Sequence, residues 1–299
     1  MKLSEAFSEY ARIEIQGRGC SLKTYEGVKS AGKVALQFFG DINIKRIDAK
    51  RINDFYLDLT TNFNRKTGKC RIISNNTARG YIVTLRAVIK HCYKEGIRTV
   101  KPERIIVPKR EKKQANFIDT QQYNQLMDEL GQPRKGYAKI NRVRNQLIVK
   151  MLFYTGLRVS ELCALNRDSI RNREFSVVGK SKYPRPCFIT KEIEGDIEKY
   201  LSMRQDNSPA LFVANETGER ISPCTIQRVF RLASKRAHLT KVTPHTMRHS
   251  FATRLIDDQV DIRIVAALLG HQDLNTTKQY THIRDYRLRQ VYENAMESH

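Results

Sequence analysis

Apolar residues recur every three or four positions through most of this chain, a spacing that predicts helices far more often than strands. The first predicted helix runs from Leu3 to Ile15. Ser21 caps a second, with Leu22, Tyr25, Val28, Ala31, Ala35, Phe38 and Phe39 on one face and Gly40 as its stop. A third opens at Asp48, where Ile47 and Ile52 are placed as a hydrophobic staple and Ile52, Phe55, Tyr56 and Leu59 form the buried stripe. Ser74 begins a fourth, with Tyr81, Ile82, Leu85, Ile89, Cys92 and Tyr93 facing inward and Gly96 just past its end. Between the last two lies a basic, turn-rich loop, 62–71, suited to a phosphate backbone.

The periodicity lapses after Ile97. Two prolines and a run of Lys and Arg follow, so residues 106–116 read as a basic linker between a helical domain, 1–105, and a second domain, 117–299. In the second domain, Asp119 or Thr120 caps a helix to Leu130, residues 139–155 form a longer one stopped by Gly156, and Val159–Leu165 a short one. Glu174–Val178 and Pro186–Ile189 read as two strands around a basic turn, and Leu211–Val213 as a third, short strand. Helices follow from Lys191 to about Arg204, from Ser222-Pro223, from Thr243-Pro244, over Ile262–Leu269, and over Tyr286–Met296. No internal repeat is present.

Charge narrows the function. Across 299 residues the 54 Lys and Arg outnumber the 31 Asp and Glu, a net +23 that is spread along the chain and not gathered in a tail. Such a surplus calls for a polyanion partner, and nucleic acid is the default. No apolar run approaches the ~20 residues of a membrane span, and the first residues lack the apolar core of a signal peptide. The six cysteines show neither a CxxC pair nor zinc-ligand spacing and read as reduced thiols of a cytoplasmic protein.

The chemistry concentrates in residues 243–282, which hold four of the seven histidines. His245, Arg248 and His249 stand at i, i+3 and i+4 of a helix, on one face. His271 follows the helix-ending Gly270, and Tyr280 lies nine residues on. Breaking a phosphodiester without metal or nucleotide needs a nucleophile able to become an anion, guanidinium forks for the non-bridging oxygens, and a proton for the leaving alkoxide. Arg158, Lys180, His245, Arg248, His271 and Tyr280 supply that set. A zinc site of three histidines is the competing reading, but the HTMRH run lacks the glutamate of HExxH and sets Arg248 beside the metal.

Three runs then carry a resemblance. Thr155–Leu162 (TGLRVSEL), His245–Thr253 (HTMRHSFAT) and Leu268–His271 (LLGH) with Thr277 and Tyr280 resemble, in order, the motifs of the tyrosine recombinases, the phage-integrase and Xer group. The resemblance covers nearly the whole chain. It implies a mainly α fold with a small β-sheet, in which a helical, SAM-like core-binding domain precedes an α/β catalytic domain, the two forming a C-shaped clamp. It implies that Arg158 and Arg248 clamp the scissile phosphate, His271 adds a hydrogen bond, Lys180 protonates the leaving 5′ oxygen, and His245 helps deprotonate the nucleophile Tyr280. The product is a 3′-phosphotyrosyl DNA and no cofactor is required. Glu161 then reads as a brace for the arginines and His249 as structural. Where the family's hairpin reads GKG this chain has Gly179-Lys180-Ser181-Lys182, so Lys182 stays open as the proton donor. The implied partners are a double-stranded core site, further copies of the chain as a dimer on the site and a tetramer in the synapse, and a second recombinase or a DNA-bending accessory protein. A type IB topoisomerase and a non-catalytic DNA-binding protein are the rivals.

Overall fold

The computed structural model describes residues 1–61, 63–64, 69–70, 73–111, 116–136, 138–179, 184–214, 217–270 and 285–297. Two compact units result, Met1–Lys113 and Gln114–His299.

In the first unit, α1 (Leu3–Tyr10) runs into a π-helical turn, Ala11–Gln16, and α2 (Leu22–Phe39), α3 (Ala49–Thr61) and α4 (Asn75–Lys94) follow. The expected single helix to Ile15 is thus an α-helix plus a wider turn. Phe7, Ala11 and Ile15 are all buried along it. The starts are set by side chains: Ser21 and Ser74 each accept from the backbone N–H three residues on, at 3.3 Å, and Asp48 from Arg51 at 2.8 Å. Phe38, Phe39 and Phe55 pack ring against ring beside Ile52, Ile82, Leu85 and Ile89. Inside the basic loop, β1 (Phe63–Asn64) pairs antiparallel with β2 (Lys69–Cys70), a hairpin that the turn-rich composition concealed. The opening of the expected linker is fastened to α4. Arg79 donates to the Pro108 carbonyl at 2.9 Å, and Asn76 exchanges bonds with the Glu111 backbone at 3.0 and 3.1 Å.

The second unit is built on α6 (Lys139–Thr155), packed by α5 (Thr120–Gly131), α8 (Lys191–Ser202) and α10 (Pro244–Asp257). Leu147, Ile148, Val149, Met151, Leu152 and Phe153 are all buried, so α6 is covered on several sides. Alongside lie α7 (Val159–Ala164), α9 (Pro223–Arg236), α11 (Ile262–Leu269) and α12 (Asp285–Glu297). A second cluster joins Phe251 and Leu255 of α10 to Val265 and Leu268 of α11 and to Leu288 and Tyr292 of α12. Each such burial is worth about 1.5–3 kcal/mol, and together they hold the helix ends that bear the reactive groups.

Two strand expectations are corrected. β3 (Glu174–Val178) stands as read, but its partner β4 is Pro184–Phe188, which starts two residues and ends one residue nearer the hairpin tip than expected. Prolines 184 and 186 are tolerated because both strands of a two-stranded ribbon are edges, where a missing N–H can face outward. Leu211–Val213 is no strand. Single bridges, Asn166 to Ala210 and Val213 to Arg220, hold it instead. No described helix is long and apolar enough to cross a membrane.

Candidate active site

Three helix ends converge. At the first, α6 stops at Gly156 in the left-handed conformation, φ 61°. Leu157 is buried, and Arg158 is the residue from which α7 starts. Its backbone N–H donates to Glu161 Oε2 at 2.9 Å and its Nη1 to Glu161 Oε1 at 2.6 Å, so one carboxylate caps the helix and orients the guanidinium.

The second end is the start of α10. Thr243 accepts from the Thr246 N–H at 3.2 Å, and Pro244 occupies the first turn, where its missing donor costs nothing. That start fixes the helical phase. The His245 and His249 rings meet edge to face at 4.3 Å, and Arg248 points into the interior. Arg248 Nη1 donates to the Gly156 carbonyl at 2.7 Å and Nη2 to the Leu269 carbonyl. Two of its five donors thus serve the backbone.

The third end is that of α11, closed by Gly270 at φ 62°. Here the structure adds a residue the sequence reading passed over. Arg185 of β4, only 7% exposed, donates from Nη1 to the Leu268 carbonyl at 2.6 Å and to Cys187 Sγ at 2.8 Å, and from Nη2 to Glu161 Oε2 at 2.8 Å. It stands between two prolines on a strand, outside every run that carried the resemblance. The signal was a charged residue on the inward-facing period of a strand, alternating with Cys187.

Arg158, His245 and Arg248 line one cleft of about 900 Å³, and Arg231, Lys235 and Lys241 line it too. Arg231 and Lys235 are i, i+4 on α9, a spacing that could have singled them out. The wall is therefore strongly cationic. Burial, then the neighbouring Arg158 and Arg185 charges, push Arg248 down to about 10, which leaves it protonated at neutral pH. Burial, then the charges of His249, Arg248 and Arg158, lower His245 below its ordinary 6.5, so its neutral, proton-accepting form is favoured. For Glu161, burial opposes ionisation, but Arg185 and the Arg158 backbone and side-chain bonds outweigh it and lower the carboxyl. Such a wall favours an anion with an imidazole base beside it.

Lys180, its alternative Lys182, His271 and Tyr280 lie outside the described residues. Along the chain Lys180 falls in the β3–β4 connection, His271 directly follows Gly270, and Tyr280 precedes α12. Among the described residues no group of three or more His, Cys, Asp and Glu side chains is placed to hold a metal ion.

Comparison with known proteins bears on both units. Residues 116–287 match the model of the phage integrase family, and residues 3–106 that of the phage integrase SAM-like domain. The tyrosine recombinase XerA of Pyrococcus horikoshii is 41% identical over 167 residues, which span 54% of this chain and 58% of that protein. XerC of Alcanivorax borkumensis is 34% identical over 231 residues, 74% of each chain. In fold, the chain resembles the integrase of transposon Tn1549 solved with circular-intermediate DNA, with a TM-score of 0.72 at 19% identity over 97% of this chain and 98% of that one.

Proposed function

The chain belongs to the phage integrase family, and from that premise we propose that it is a site-specific DNA recombinase, cutting and rejoining strands through a 3′-phosphotyrosyl intermediate without metal or ATP. The observation that carries this reading is the shared cleft, which two guanidiniums line together with an imidazole held toward its neutral form.

Arg158 and Arg248 hold the non-bridging oxygens of the scissile phosphate, whose charge rises in the transition state. Arg248 is rigid because two carbonyls hold it, and Arg158 because Glu161 does. The Tyr280 oxygen attacks phosphorus as His245 takes the phenolic proton, and the bond from phosphorus to the 5′ oxygen breaks as Lys180 supplies a proton to that oxygen. His271 adds a hydrogen bond to the phosphate. The phosphotyrosine conserves the energy of the broken bond, so a 5′ hydroxyl from a partner duplex reverses the step and completes exchange. Double-stranded DNA is the substrate, held by both units, with a dimer on each site and a tetramer in the synapse.

A nicked duplex carrying the protein's own footprint site, which loses its 5′ fragment on cleavage and so traps the intermediate, tests the reaction. Wild-type protein is expected to give a covalent adduct on a denaturing gel, and Tyr280→Phe to bind the same DNA and give none. An adduct that survives that substitution would sink the assignment of the nucleophile. Joining of two separate sites, as against relaxation of one plasmid, then separates recombination from topoisomerase action.

A further inference from the structure

We propose that Arg185 is a positioning residue for strand cleavage, which by sharing Glu161 keeps Arg158 a net cation toward the cleft. The inference rests on the cleavage reaction proposed above. It starts from a charge problem. Glu161 is almost wholly buried, its side chain 4% exposed, and it binds Arg158 at 2.6 Å. A buried carboxylate paired with a single guanidinium makes a nearly neutral unit, and a neutral unit does little for an approaching phosphate. Arg158 would be held in place at the expense of its field.

Arg185 removes that conflict. Its Nη2 reaches Glu161 Oε2 at 2.8 Å, and its own side chain is 8% exposed. Two guanidiniums then face one carboxylate, with Arg248 close enough to feel both of the others. Of these groups Arg185 does not line the cleft, whereas Arg158 and Arg248 do. The buried cation therefore offsets the buried carboxylate and leaves the charge of Arg158 for the substrate.

The placement of Arg185 is held from several directions. The carbonyls of Leu268 and Leu269, in the electronegative last turn of α11, accept from Arg185 and Arg248 respectively, so one helix end fixes both guanidiniums. Cys187 Sγ accepts a further bond at 2.8 Å. Gly270 closes over the stem: a Cβ there would stand 2.7 Å from Arg185 Cδ. A side chain so confined transmits a change in its charge, or a small shift, directly to Glu161 and Arg158.

The competing explanation is a plain staple joining β4, α7 and α11, and charge separates the two. Single-turnover adduct formation is measured on the nicked duplex with an ordinary scissile phosphate and with a methylphosphonate there, which carries no charge. DNA binding and thermal melting are measured alongside. Arg185→Met is expected to bind DNA as wild type does and to cleave the phosphate about a hundredfold more slowly, the scale of a misplaced reacting group. Its loss on the methylphosphonate is expected to be much smaller, because the weakened field no longer matters. Arg185→Lys is expected to keep most activity. Glu161→Gln added to Arg185→Met is expected to recover part of the loss, since the uncompensated carboxylate has gone. Should Arg185→Met melt below the assay temperature, Arg185→Gln, which keeps a donor for Glu161 without charge, enters the same comparison. Equal losses on both substrates, no loss at all, or a double variant worse than the single one would each overturn the role. Wild-type protein that forms no adduct would instead sink the cleavage reading, so the two failures are distinct.

Discussion

Gly156→Ala probes the joint between the core and the site. Gly156 sits at φ 61°, where a side chain costs about 1–2 kcal/mol. A Cβ there would also lie 2.5 Å from Phe251 Cδ1, 3.0 Å from its Cε1 and 3.1 Å from Leu269 Cδ2. Phe251 is 1% exposed and cannot swing out, so relief means overpacking, about 1–3 kcal/mol. The sum, about 2–5 kcal/mol, lowers the melting temperature of a unit this size by about 4–20 °C. Gly218→Ala is the control in the same unit. Its φ is 66°, but nothing lies within 4 Å of the added carbon, so only the backbone cost applies and the drop is about 2–8 °C. Scanning calorimetry reads both. Because the Gly156 carbonyl also orients Arg248, Gly156→Ala is expected to slow cleavage below its melting range while DNA binding holds. If Gly156→Ala melts no lower than Gly218→Ala, the account of Phe251 and Leu269 as a tight lid on this turn is wrong.

Arg158→Ala and Arg248→Ala are each expected to cut adduct formation by about 10²–10³-fold while mobility-shift affinity changes little; near-normal cleavage by either would remove the phosphate clamp. His245, whose neutral form is favoured by burial and three nearby charges, is expected to titrate by NMR with a midpoint below 6.5, and Arg158→Ala to move that midpoint upward. The sign for stability follows: the unfolded chain takes up this proton first, so stability falls as pH drops from 6.5 through the lowered folded value and is unaffected above it. A midpoint at or above 6.5 contradicts the reading of the cleft. In the native protein Cys20 and Cys224, both exposed, are expected to alkylate quickly, whereas burial pushes Cys163 up to about 11 and Cys187 up to about 12 and protects them; rapid labelling of Cys187 by mass spectrometry would show that the packing around Arg185 opens.

Much of the fold was legible because its boundaries are written in local chemistry. Ser21, Asp48, Ser74, Asp119 and Thr243 each hydrogen-bond the helix they open, and Gly156 and Gly270 close theirs with positive φ. That His245 and Arg248 share a face was legible from their spacing on a helix whose phase its cap sets, and Arg158 was joined to them by residue type and by the family resemblance. What escaped depends on contacts remote in sequence. Arg185 meets Leu268 across 83 positions and Glu161 across 24, and neither partner is apparent from a strand reading PRPCF. The π-helical turn at Ala11–Gln16 escaped because the buried positions Phe7, Ala11 and Ile15 keep α-helical spacing through it, so an apolar stripe does not register the change. Leu211–Val213 has the composition of a strand but finds only single bridges, since Leu165 and Arg220 offer it backbone partners over too short a length.

The central claim is that one phenolic oxygen becomes joined to a DNA 3′ end. Protease digestion of the trapped adduct, nuclease trimming of its DNA and mass spectrometric sequencing of the modified peptide locate that bond. The expected result is a nucleotide remnant on Tyr280 and on no other residue; a remnant on any other side chain, or an unmodified Tyr280 in a protein that has cut its site, would contradict it.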